Sequence, residues 1–125
     1  MPVRYLIDAA RKLIVSTGVG RVTFDEIRAH QDLLLADPAF DASFNQLIDA
    51  TEVTELDLSM EQAQVVAQRP IVAPTSRRAF VATKPAVFGL GRVMEVYHER
   101  QALVRIFYDH RSALEWLGLK EDRGR

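Results

Sequence analysis

Apolar and polar residues recur with two different periods along this chain, and the switches between them mark out its elements. Val3 to Asp8 and Lys12 to Thr17 are short apolar-rich runs on either side of Ala9-Ala10-Arg11, a pattern that predicts a β-hairpin. Gly18 and Gly20 then loosen the backbone. Thr23-Phe24-Asp25-Glu26 has the spacing of a capping box, and Phe24, Ile27, Leu34 and Leu35 fall on one helical face. Asp37-Pro38 ends that helix, because a residue before proline avoids the helical region.

The second half repeats the alternation. Ser43 to Ala50 reads as a third strand, closed by Leu47-Ile48-Asp49, with a short loop expected before Asp57. Ser59 opens a helix carrying Met60, Ala63, Val66 and Ala67. Pro70 and Pro74 bracket a loop. Ala79-Phe80-Val81-Ala82 is continuously apolar, as in a strand covered on both faces. Pro85 suits a helix first turn, and Val87, Leu90, Met94 and Tyr97 then keep helical spacing to Arg100. Leu103 to Tyr108 is a fifth strand. Asp109 can cap a last helix that Gly118 ends.

The order β-β-α-β-α-β-α-β-α predicts a single α/β domain over residues 1–118. Its sheet is mixed, with a hairpin at one end, parallel pairs joined by right-handed crossovers, and helices packed largely on one face. Residues 119–125 form a polar tail. A chain of 125 residues is long enough for one hydrophobic core without staples.

Composition narrows the function classes. The chain has no cysteine, which removes disulfides, thiol catalysis and cysteine-ligated metal centres. A net charge of −1 offers no broad attraction to nucleic acid or anionic lipid. No apolar run approaches the ~20 residues of a membrane span, and the first residues lack a signal-peptide layout, so a soluble cytoplasmic protein is expected. His30, His98 and His110 have no metal-ligand spacing, and no cofactor is expected. Gly89-Leu90-Gly91 lies inside a helix instead of between strand and helix. It reads as close helix packing and not as a dinucleotide fingerprint.

The arrangement resembles the STAS-type fold of anti-sigma-factor antagonists, and more closely their SpoIIAA-like relatives. The residues that carry the resemblance are Gly20-Arg21-Val22-Thr23 before the first helix, Leu47-Ile48-Asp49 closing the third strand, and Phe107-Tyr108-Asp109 ahead of Ala113-Leu114-Glu115-Trp116-Leu117. The resemblance implies a bacterial regulatory domain that binds a protein partner. In the antagonists, an Asp-Ser-Ser-Gly motif begins eight residues after the strand-ending aspartate, and its second serine is phosphorylated. Here Asp57 stands eight residues after Asp49, and Ser59 takes the phosphoserine position, with Leu58 and Met60 replacing the motif's first serine and its glycine.

Four sets of residues are candidates for function. Ser59 is a phospho-acceptor or, with Gln62, simply a helix cap. Asp49 and Asp57, like Asp8 and Asp109, stand at expected strand ends, where paired carboxylates could hold a metal or act as acid and base. Aspartate also favours turns and caps for purely local reasons. Arg77 and Arg78 could clamp an anion, or could guard the entrance of the fourth strand as solvated charges. Phe80, Phe88, Met94, Tyr97, Phe107 and Trp116 could line an apolar pocket or pack the core.

No catalytic constellation assembles from these residues. The leading expectation is therefore a non-catalytic protein-interaction or regulatory module, with an unidentified protein partner or a homodimer. A carrier or sensor of a small apolar, lipid-like ligand is the alternative, and an enzyme using strand-end carboxylates is third.

Overall fold

In a computed structural model, residues 2–96 and 103–119 are described. They form a five-stranded sheet whose spatial order is the order of the chain. Strand β1 (Val3–Asp8) pairs antiparallel with β2 (Leu13–Thr23). Strands β3 (Asn45–Asp57), β4 (Arg77–Val81) and β5 (Leu103–Phe107) follow in parallel.

Helices α1 (Phe24–Ala36), α2 (Met60–Gln68) and α3 (Pro85–Val96) are the crossovers. Right-handed crossovers that all step the same way across a sheet must lie on the same face. Val87, Leu90 and Met94 of α3 and Ala63 and Ala67 of α2 accordingly share one cluster with Ala50, Phe80 and Val104 of the sheet. Leu34 of α1 packs with Ile14 on the same side. Helix α4 (His110–Trp116) has no following strand and packs on the other face, where Ala113 and Leu114 meet Leu13, Leu47, Ala79 and Val81. Strand β4 is thus covered on both faces, as its apolar run predicts.

The caps follow the sequence closely. Thr23 Oγ1 accepts from the Glu26 amide at 3.3 Å, and Glu26 returns a bond to the Thr23 amide at 2.9 Å. Asp109 caps α4 by accepting from the Ser112 amide at 2.8 Å. At the other end of α4, Gly118 takes φ 78°. Gly118 N–H then bonds the Glu115 carbonyl and Leu119 N–H the Leu114 carbonyl, which closes the helix in a Schellman motif.

Two strands run farther than expected. β2 continues through Gly18 and Gly20 to Thr23, and β3 does not stop at Asp49 but runs to Asp57. The extensions pair with one another, with register shifts between Thr17 and Val19 and between Gly20 and Arg21. Gly20 absorbs one irregularity at φ 72°. At Gly18 a Cβ would come within 2.8 Å of a Val53 methyl, so the missing side chain is what lets the strands stay together. Asp49 is still a boundary of a kind, since it is the last residue of β3 to pair with β4.

Gly91 brings α3 down onto the sheet, because a Cβ there would meet Phe80 at 2.9 Å and Ile106 at 3.0 Å. Gly89 faces open space. The expected continuation of α3 through Tyr97 and His98 to Arg100, and the tail beyond residue 119, lie outside the described residues. No helix among the described residues is long and apolar enough to cross a membrane.

Candidate ligand-binding site

Between the sheet and helices α1–α3 lies a partly open cavity of about 90 Å³. Much of its wall is aliphatic, with Val22, Ile48, Val53, Val66, Val87 and Leu90 among the lining residues. Five of the polar residues on the same wall are buried: Ser16, His30, Gln31, Gln46 and Arg78.

The strand pleat explains Arg78 and Gln46. Side chains on alternate positions of a strand share a face. Arg78 therefore stands with Phe80 and Ala82, Gln46 with Ile48 and Ala50, and all of these face the helices. Arg78 is opposite Gln46 in the β3–β4 register. Its Nε donates to Gln46 Oε1 at 2.9 Å, and Gln46 Nε2 donates to Ser16 Oγ at 2.9 Å. One polar chain thus crosses β4, β3 and β2 beneath the cavity. His30 and Gln31 come from α1, where Ile27, His30, Gln31 and Leu34 occupy one helical face.

Arg78 is 3% exposed, and no acidic side chain among the described residues forms an ion pair with it. Burial alone lowers its pKa to about 10, so it remains a cation at neutral pH. His30 is 6% exposed, and its Nε2 has no hydrogen-bond partner. Burial, reinforced by the Arg78 charge, lowers the His30 pKa to about 4, which keeps it neutral at neutral pH. Gln31 is held from outside the cavity, its Oε1 accepting from Arg69 Nη1 at 3.3 Å while Arg69 Nη2 sits 2.7 Å from Asp32.

The arginine pair expected to act as a clamp is split by the pleat. Arg77 faces α4, where its guanidinium lies 5.3 Å from the centre of the Trp116 ring and donates to the Trp116 carbonyl at 2.6 Å. Nor does Arg78 guard the strand as a solvated charge, since it is inside the protein. Adjacent strand residues point to opposite faces, so the two arginines cannot close on one anion.

The carboxylate pair is separated as well. Asp49 and Asp57 lie eight residues apart on one strand, about 26 Å at 3.3 Å per residue. Asp49 bonds Thr51 Oγ1 at 2.7 Å and His110 Nε2 at 2.9 Å, tying β3 to α4. Asp57 pairs with Arg21 at the far end of the β2–β3 ribbon. Asp8 holds the hairpin turn through Arg11. Ser59 is exposed and completes the capping box of α2, accepting from the Gln62 amide at 3.1 Å while Gln62 Oε1 accepts from the Ser59 amide at 2.9 Å. Among the described residues, no three His, Asp or Glu side chains gather as a metal site.

The aromatic set divides in the same way. Phe80 and Met94 line the cavity, Phe107 and Trp116 pack together on the α4 face, and Phe88 stacks on Tyr108. His30, Gln31, Gln46 and Ser16 escape a reading based on motifs. The signal for them is parity: each is a polar residue at a position whose neighbours of the same phase are apolar.

No protein-family model matches the chain, and no curated protein matches it in sequence. A solved structure does match. It is an uncharacterised protein of the DUF3478 family from Shewanella loihica PV-4, with a SpoIIAA-like fold. The two are 20% identical, with a TM-score of 0.60 over 92% of this chain and 93% of the other. Sheet order, crossover helices and this likeness together assign the chain a SpoIIAA-like fold.

Proposed function

We propose that this domain is a non-catalytic carrier or sensor that holds a small, mostly apolar molecule between its sheet and helices α1–α3. One observation supports the reading above the others: a cavity walled largely by aliphatic side chains lies under three helices. Concave, mainly apolar sites with a few fixed polar groups are the usual form of small-molecule sites. Size sets the ligand class. A cavity of about 90 Å³ is smaller than the roughly 150 Å³ that accommodates benzene in an engineered core, so the occupant is compact and not a long-chain lipid.

A protein-interaction module is the competing reading. It rests on the likeness of fold, whereas the cavity is a property of these residues. The two meet if a partner protein reads the occupancy of the cavity.

Titration of the amide resonances with 1-propanol, which is smaller than benzene, tests the proposal. Saturable shifts should centre on Val66, Val87 and Leu90, and Val66→Phe, which fills the cavity, should abolish them. Unsaturated or scattered shifts in the unaltered protein would overturn it.

A further inference from the structure

Resting on that reading, we infer that the occupant carries a single negative charge, a carboxylate, seated on the Arg78 guanidinium with its apolar part toward Val87 and Leu90. Arg78 is the only cationic side chain that lines the cavity among the described residues. Its Nε is committed to Gln46, which fixes the plane of the guanidinium. The Nη groups make no hydrogen bond or ion pair with any described side chain or carbonyl. A cation removed from water costs several kcal/mol unless it is paired and hydrogen-bonded. The protein supplies a neutral amide for one of its five donors and leaves the others beside the cavity. A carboxylate matches the remaining fork with two parallel bonds.

His30 completes the charge balance. It lines the same cavity with a buried, unpartnered Nε2, and in its Nε2–H tautomer it adds a neutral donor. One cation and one neutral donor suit a monoanion. A dianionic phosphate would leave a net negative charge buried. The acidic residue on the lining, Asp49, directs its carboxylate to Thr51 and His110 and so does not occupy the fork.

The test is a calorimetric or NMR titration of the full chain at neutral pH with propanoate, propanamide, 1-propanol and propyl phosphate, probes short enough for the cavity. Propanoate should bind at least tenfold more tightly than propanamide or 1-propanol, and more tightly than propyl phosphate. In Arg78→Met the preference for propanoate over propanamide should vanish. Equal binding of propanoate and propanamide would overturn the carboxylate inference and leave the cavity reading intact. Binding of none of the four would overturn both. Tighter binding of propyl phosphate would overturn the single-charge assignment. The comparison of propanoate with propanamide needs no variant, so it decides the matter even where Arg78→Met does not fold.

Discussion

Gln46 Oε1 accepts the Nε–H of Arg78 at 2.9 Å, across a rung where the two residues are direct register partners. Gln46 is itself oriented by Ser16, so its acceptor end is turned toward the arginine. The pair is a polar rung beside the apolar Ile48–Phe80 rung on the same face of the sheet. Its presence there costs stability. A buried charge contributes less than an apolar side chain of the same size, and removing both partners together avoids leaving either one unsatisfied.

Arg78→Met combined with Gln46→Leu is therefore expected to raise the ligand-free stability by about 1–4 kcal/mol. Chemical denaturation measures it. The same double variant should lose its preference for carboxylates, the usual exchange of function for stability. A large loss of stability would mean that the pair holds the sheet together.

Acid should weaken the protein through His30. Its pKa falls from 6.5 to about 4 on folding, because burial and the nearby Arg78 oppose the charged ring, while Tyr5 meets it edge-on without adding charge. The unfolded chain takes up the proton first. The stability contributed by the neutral imidazole is complete above pH 6.5 and is lost as pH falls toward 4, by about 3 kcal/mol in all. His30→Phe should flatten that part of the stability–pH curve, as followed by thermal melts between pH 7 and pH 4.

The two glycines of α3 should behave oppositely. Gly89→Ala meets nothing within 4 Å and gains helix propensity, so a rise of up to about 1 kcal/mol is expected. Gly91→Ala makes the same local gain but presses on Phe80 and Ile106. It should fall below Gly89→Ala by about 1–3 kcal/mol. Melting temperatures of the two variants side by side give the difference directly.

Ser59→Ala should cost about 1 kcal/mol by removing the acceptor for the Gln62 amide. Ser59→Asp keeps an acceptor and should cost less, although Asp57 and Glu61 stand near it in the chain. Equal melting temperatures for the alanine variant and the unaltered protein would contradict the role of the cap.

Local chemistry made much of the fold readable. Thr23 and Ser59 cap where their spacing to Glu26 and Gln62 says they must, and Asp109 caps the last helix as expected. The extensions of β2 and β3 were hidden, because Gly18 and Gly20 look like breakers until Val53 is seen to need the space of the missing side chain. Asp49 and Asp57 looked like neighbours only under the assumption of a loop between them. Arg77 and Arg78 looked like a pair because they are adjacent in sequence, whereas a strand sends adjacent residues apart. The candidate site was the least legible part. Its buried polar groups come from α1, β2, β3 and β4, and no single segment carries more than two of them.

The match between chain order and sheet order has a consequence for synthesis. Each new strand joins the edge formed by the strand before it, and none must be threaded between two already paired. A chain leaving the ribosome can build this sheet outward from its hairpin, one crossover at a time, with β5 the last to seal the growing edge.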